Sequence, residues 1–302
     1  MHQKFQEVGA DFLLILVAIA WGSTFFIVQN PIEQTPVYTF LFWRFFLAAL
    51  LMGIFSFKYS KNINKQTLKA GVILGVFMFL GYAFQTFALT YTYSSTVGFI
   101  TGLNVVIVPL ASYIFFRQKA SIYSILGAII ASIGLYYLSL KSGNIGFSLG
   151  EFYALICAAM FALHIVFTGY FSKHYNVYLL VNIQFLTVAL CSLVGGFVTQ
   201  GTILPSRVDE LLINALVITI VFATIFAFWV QTAMQRFTTA TKTAIIFTLE
   251  PVSAGVFGYF FAGEVFTPTQ LFGAALILGG ILLAELGSYV ALWLFQIKHT
   301  KT

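Results

Sequence analysis

Charge is what this sequence has least of. Asp, Glu, Lys and Arg together make up 8% of 302 residues, and six residues in ten are hydrophobic. So few charges cannot wet the surface of a soluble protein of this length, and the hydropathy is high from end to end. A soluble globular domain, or one carried on a single anchor, is excluded. Cysteine is almost missing. Cys157 and Cys191 both lie inside apolar runs, which rules out a disulfide framework and a Cys-rich metal site. The only aspartates, Asp11 and Asp209, lie outside or at the edge of the apolar runs. Neither H-E-x-x-H nor G-x-S-x-G occurs, and there is no Walker motif. These lacks speak against a membrane-embedded enzyme and against direct drive by ATP. A filter loop or ring of charges, as a channel would carry, is also missing.

What is present is a series of apolar runs, each long enough to span a bilayer at roughly 20 residues. They fall at about 12–29, 36–57, 68–90, 94–116, 121–140, 149–171, 176–199, 211–235, 240–262 and 269–286. The expected fold class is therefore all-α: a polytopic membrane protein of ten transmembrane helices. The motif "AIA" at 18–20 resembles a signal-peptide cleavage site, but Glu7 and Asp11 spoil a basic leader, so the first segment is expected to be retained.

The net charge of +6 does not imply nucleic acid, because the cations sit in short loops between apolar runs. Lys4, Lys58, Lys61, Lys65, Lys69, Arg117, Lys119, Lys173, Arg236, Lys242, Lys298 and Lys301 fall on one set of loops, while the alternate loops hold only Lys141 and Arg207. The positive-inside rule then puts both termini in the cytoplasm, with loops 58–69 and 117–120 internal and loops 141–148 and 200–210 external. The apolar stretch after Glu285 exceeds what span ten can hold. It is expected to form a bent or interfacial helix with Trp293 at headgroup level and Lys298 in the cytoplasm.

The chain also resembles itself. A shift of 140 residues pairs Tyr38 with Tyr178 and Phe45 with Phe185; a shift of 146 pairs Gln85 with Gln231, Gly127 with Gly273 and Gly134 with Gly280. Five helices per copy means that the second copy enters from the opposite face. Two inverted repeats around a midplane site are the construction of secondary transporters. The expected organisation is a first repeat at 1–145, a second at 146–287 and a cytoplasmic tail at 288–302.

Within the spans few residues can carry chemistry. A charge at the bilayer centre costs about 2.5–3.5 kcal/mol on insertion scales, so it is expected to face a cavity or a partner. Arg44 can clamp a carboxylate or phosphate through two parallel hydrogen bonds, or can sit in a permanent ion pair or on helix-end carbonyls. Glu250 meets a cation, a proton or a polar ligand, or is a structural carboxylate beside a helix distorted by Pro251. The repeat partners of Arg44 and Glu250 are the neutral Gln184 and Asn104. His164, one turn from Thr168, can relay protons or be simply hydrogen-bonded. Trp21 and Thr24 share one helix face, Tyr82 and Gln85 another. With Asn104, Trp229 and Gln231 these residues can wall a polar cavity, or serve as interhelical hydrogen bonds. Gly71/Gly75 and Gly98/Gly102 allow close helix approach, and Pro109 and Pro251 fall in equivalent helices, where distortion would suit bending.

The stretches "AIAWGSTFFIV", "WRFFLAALL", "PLASYIFFRQKASIYSILGAIIASIGLYYL" and "TATKTAIIFTLEPVSAGVFGYFFAGEVFTPTQLFGAALILGGILLAEL" resemble the EamA-type branch of the drug/metabolite transporter superfamily. Where many relatives read Arg-Glu after the fourth span, this chain has "RQK". The resemblance implies export or uptake of small metabolites, often amino acids or related amphiphiles, through a central cavity. The expectation is a secondary transporter in a bacterial inner membrane, with export favoured. A small-molecule substrate, a proton as coupling ion and the lipid bilayer are its expected partners, and it is expected to be a monomer without cofactor. A passive channel or facilitator, or an enzyme, stays open beside it.

Overall fold

The structure, a computed structural model, describes the backbone of residues 2–91, 94–139, 149–205, 207–262 and 267–300. The side chains of 2–5, 25–34, 89, 94–96, 99, 138–139, 200, 258, 261–262, 285 and 288–300 lie outside that description. Helix is the only regular structure among the described residues. Apolar runs of this kind have no other way to satisfy their backbone groups away from water. The helices are α1 (His2–Gln34), α2 (Val37–Ser56), α3 (Lys65–Tyr91), α4 (Ser94–Gly102), α5 (Asn104–Phe116), α6 (Ile122–Ser139), α7 (Leu149–Phe171), α8 (Val177–Gln200), α9 (Glu210–Ile218), α10 (Ala227–Met234), α11 (Ala240–Phe247), α12 (Leu249–Ala262) and α13 (Pro268–Thr300). A short 3-10 helix, Phe57–Asn62, follows α2, and a π-helical stretch, Thr219–Phe226, joins α9 to α10.

Six segments are long and apolar enough to cross a membrane: Gln6–Thr24, Val37–Asn62, Lys65–Ala88, Leu149–Phe171, Val177–Thr199 and Glu210–Met234. Shorter apolar helices cover Ile100–Phe116, Ile122–Tyr137 and Pro268–Ala284. The chain is a multi-pass membrane protein.

Helix boundaries follow local chemistry. The Asn176 side chain accepts from the backbone N–H of Tyr178 and Leu179 to start α8, and Asp209 caps α9 through Leu212. Thr239 caps α11 through the Lys242 N–H. These are donors that a helix start leaves without partners. Arg117 ends α5 in the left-handed conformation, φ 54°, with the Gln118 N–H reaching back to the Ser112 carbonyl.

Two expected spans are interrupted. The fourth breaks at Leu103 and the ninth at Thr248. The first break is not at Pro109, which lies well inside α5. Pro251, by contrast, falls in the first turn of α12, where a missing N–H is tolerated. The last described helix runs unbroken from Pro268 to Thr300, so residues 288–300 of the expected tail continue the helix of span ten. Loop 141–148 lies outside the described residues, as do the side chains of Trp293 and Lys298.

Packing is closest where side chains are smallest. On α6, a Cβ added to Gly127 would lie 2.6 Å from the Gly280 carbonyl oxygen, and one at Gly134 would lie 2.7 Å from that of Gly273 on α13. Gly71 and Gly75 lie on Ile183 and Thr187 of α8, and Gly22 of α1 lies on the Glu250 carbonyl. Gly102 meets Leu135, whereas Gly98 has open space around it. The basic loops gather at one end. The Lys58 ammonium lies over the rings of Tyr59 and Tyr178, Lys119 and Lys173 border one cavity, and Lys242 pairs with Glu7 at 2.7 Å. At the opposite end Trp43 Nε1 donates to the Ile203 carbonyl and Arg207 sits 3.8 Å from Asp209.

Candidate functional site

Arg44 is buried on α2, and its guanidinium is held by three groups. Nε donates to Thr224 Oγ1 at 2.7 Å, and Nη2 donates to the Ala223 carbonyl at 3.3 Å and to the Tyr82 hydroxyl at 3.4 Å. Nη1 has no partner among the described residues. The cation also lies 5.0 Å from the centre of the Tyr82 ring and 5.3 Å from that of Phe45, an arrangement that is favourable when desolvated.

The π-helical stretch supplies one of these acceptors. At its end the Ala227 N–H reaches back to Phe222 and Thr224, after which α-helical spacing resumes. The Ala223 carbonyl lies within this stretch. Two side chains use it: Arg44, and Trp21 Nε1 at 2.9 Å. Local departures of this kind recur at functional sites.

Around Arg44 lies an aromatic cluster. Tyr82 contacts Phe45 at 5.4 Å, Phe161 at 5.4 Å and Phe228 at 6.3 Å between ring centroids. Phe228 in turn contacts Trp21 at 5.2 Å and Phe185 at 6.1 Å, and Phe45 meets Phe185 at 5.8 Å. Glu250 is half-buried, in the first turn of α12, where a carboxylate suits the positive end of the helix dipole. It has no hydrogen bond or ion pair among the described residues, and its carbonyl oxygen lies against Gly22, the neighbour of Trp21. Cys157 contacts the Thr101 hydroxyl at 3.6 Å. Trp21, Arg44, Tyr82 and Glu250 therefore share one neighbourhood.

The other sequence candidates divide. Gln85 is half-buried one turn from Tyr82, and Asn104 is the first residue of α5, directly after the Leu103 break. Neither has a hydrogen-bond partner among the described residues. Thr24 donates to the Trp21 carbonyl one turn back on its own helix. His164 is fully enclosed, bonded through Nε2 to Gln184 Oε1 at 2.9 Å with Phe228 edge-on at 5.7 Å. Gln231 is equally enclosed and donates to Gln235. Burial on all sides keeps His164 and Gln231 from lining an open space. Trp229 turns from the cluster to a separate cavity at the basic end, beside Tyr178.

Several members were missed by sequence reasoning. Phe45, Phe161, Phe185 and Phe228 give no signal among 35 phenylalanines, and Thr224 looks like any other threonine in a span. Only the repeat offers a trace, since Tyr82 and Phe228 are 146 residues apart and Phe45 and Phe185 are 140 apart.

Comparison with known proteins agrees with this architecture. The profile of the EamA-like transporter family matches residues 8–140 and 148–286. A protein of Archaeoglobus fulgidus described as an uncharacterized transporter is 33% identical, over 93% of this chain and 87% of its own length. The uncharacterized transporter YoaV of Bacillus subtilis is 27% identical, over 89% of this chain and 94% of its own. A solved crystal structure of a protein shares the fold with a TM-score of 0.79 at 16% identity, covering 92% of this chain and 98% of that one.

Proposed function

The chain belongs to the EamA-like transporter family, and from that premise we propose that it is a secondary transporter working by alternating access between two inverted repeats. Taking α4–α5, α9–α10 and α11–α12 as one crossing each gives ten crossings, five per repeat. Both termini then lie on the basic, cytoplasmic side. The cargo is a small polar or amphiphilic metabolite, an amino acid or related compound, with export as the favoured direction.

The observation that carries this reading is the pairing of the aromatic cluster. The shift of 140 residues that relates α2 to α8 also pairs Trp21 with Phe161, while Tyr82 pairs with Phe228 and Phe45 with Phe185. Exchanging the halves turns the Tyr82–Phe161 contact into Phe228–Trp21 and the Phe45–Tyr82 contact into Phe185–Phe228. Phe45 meets its own counterpart, as does Tyr82. The glycine contacts behave alike: Gly127–Gly280 exchanges with Gly273–Gly134. Such reciprocity is the signature of a two-fold relation, here between halves of one chain. Two equivalent halves meeting at an axis can exchange roles, which is what opening to alternate sides requires.

The polar groups break that equivalence. Arg44 stands opposite Gln184, and Glu250 opposite Asn104, with each of the last two placed at a helix restart. Arg44, with Nη1 unengaged, fixes an anionic group of the substrate, and Glu250 meets a cation or a proton. The transporter family and its transporter-named relatives support carriage over catalysis.

Purified protein in proteoliposomes tests the reading. Saturable flux that follows an imposed gradient is expected, and Arg44→Lys should reduce it at least tenfold because the planar fork is lost. Ohmic flux, or turnover of the substrate, would contradict a carrier. Parental rate and affinity in Arg44→Ala would remove the site while leaving the carrier intact.

A further inference from the structure

At the basic end a cavity of about 520 Å³ opens between the 3-10 helix after α2, the α7–α8 turn and the end of α10. That volume suits a small ligand. Its charged walls are Lys173 and Arg236, and no Asp or Glu lines it among the described residues. Neither cation has a carboxylate partner among the described residues, and Lys58 adds a third positive charge over the Tyr59 and Tyr178 rings. The apolar walls are flat rings. Tyr59 and Tyr178 are stacked at 5.2 Å, and Trp229 meets Tyr178 at 5.9 Å. The Trp229 indole N–H has no acceptor among the described residues.

We infer that this cavity is a binding site for a small organic anion with a planar or aromatic body, the form in which the cargo is first taken up at the basic end. The inference rests on the carrier reading and narrows its cargo. Cations without counter-ions in a walled cleft focus negative charge, Arg presents a fork that matches carboxylate or phosphate, and the rings take the ligand's flat face. Position joins this cavity to the Arg44 group. Trp229 follows Phe228 on α10, and the Phe228 ring lies 5.2 Å from that of Trp21 and 6.3 Å from that of Tyr82, so neighbouring residues of one helix border the two regions. A ligand moving past α10 goes from Lys173 and Arg236 to Arg44 and meets a cation on either side. The same anion chemistry exists in lipid headgroups, and the positive-inside rule alone would also place cations here; the experiment separates these.

The full-length protein in nanodiscs of neutral lipid is titrated with benzoate, benzylamine and benzyl alcohol at constant ionic strength, with thermal stability as the readout. Benzoate should stabilise saturably and the other two should not. Lys173→Gln/Arg236→Gln should weaken the benzoate effect at least tenfold, whereas Lys173→Arg/Arg236→Lys, which keeps both charges, should retain it. An equal response to benzylamine overturns the inference. So does loss of the effect in Arg44→Gln with survival in the double Gln variant, which places binding at the central group. If anionic-lipid nanodiscs abolish the benzoate effect while stabilising the protein themselves, the site belongs to a headgroup and the inference fails. Benzoate binding without flux in proteoliposomes would instead sink the carrier reading and leave this site standing.

Discussion

Arg44 lies among aromatic rings and has no carboxylate in contact among the described residues, so its neutral hydrogen bonds do the stabilising. Hydrogen bonds to charged groups contribute about 1.5–3 kcal/mol each, and the Thr224 hydroxyl at 2.7 Å is the shortest of the set. Thr224→Val should lower the unfolding free energy of the detergent-purified protein by about that amount, while Thr224→Ser should recover most of it. An unchanged unfolding midpoint in the valine variant would mean that Arg44 finds another acceptor. His164 makes the contrasting case. Enclosed against Gln184 and Phe228, it is placed to hold helices together, not to exchange protons with water. His164→Gln should keep any dependence of flux on a proton gradient and lose only stability. A flux that becomes indifferent to the gradient would restore the relay role.

At the scale of helices, one close contact is made on both sides by residues with no side chain. Gly280 on α13 lies against the Gly127 carbonyl, while its neighbour Gly279 has nothing within 4 Å of an added Cβ. Gly280→Ala should therefore separate α6 from α13 and lower the apparent melting temperature by several degrees. Gly279→Ala should be neutral, or raise stability by up to about 1 kcal/mol through helix propensity. Equal effects in differential scanning fluorimetry would mean that the helices do not touch there. The helix interruptions show where sequence reading stops short. Proline drew attention to both affected spans, and at Pro251 the restart is adjacent. At Pro109 the break is displaced to Leu103, because a proline marks where a helix can bend and packing decides where it does. The π-helical stretch left no mark in sequence at all, since Thr219–Phe226 reads as an ordinary apolar helix and only the tertiary demand from Arg44 and Trp21 gives its Ala223 carbonyl a use.

For the whole molecule, orientation is the property most open to test. Cysteines placed at 58–69 and 117–120, in a background lacking Cys157 and Cys191, should resist an impermeant thiol reagent in sealed cells and react after lysis. Those at 200–205 should react in both. Labelling of the first two loops from outside would invert the proposed topology. The all-helical class and the spans were legible because hydropathy over 20-residue windows is a strong signal. The neighbourhood of Trp21, Arg44, Tyr82 and Glu250 was legible because charges and large polar rings are rare inside spans. Trp229, His164 and Gln231 looked equivalent to them in sequence. Only three-dimensional burial separates a polar residue that closes a helix contact from one that borders a space.

The contact between α6 and α13 also sets a clock. Gly127 and Gly280 are about 150 residues apart in the chain, a stretch that synthesis at 5–20 residues per second covers in roughly 8–30 s. For that interval α6 has been made and its glycine face waits without the backbone it will rest on. The helix α13, made after all the other described helices, is thus the latch that ties the end of the second half to the first. A chain that stops short of Pro268 has every earlier helix available for the membrane and no means of closing the bundle.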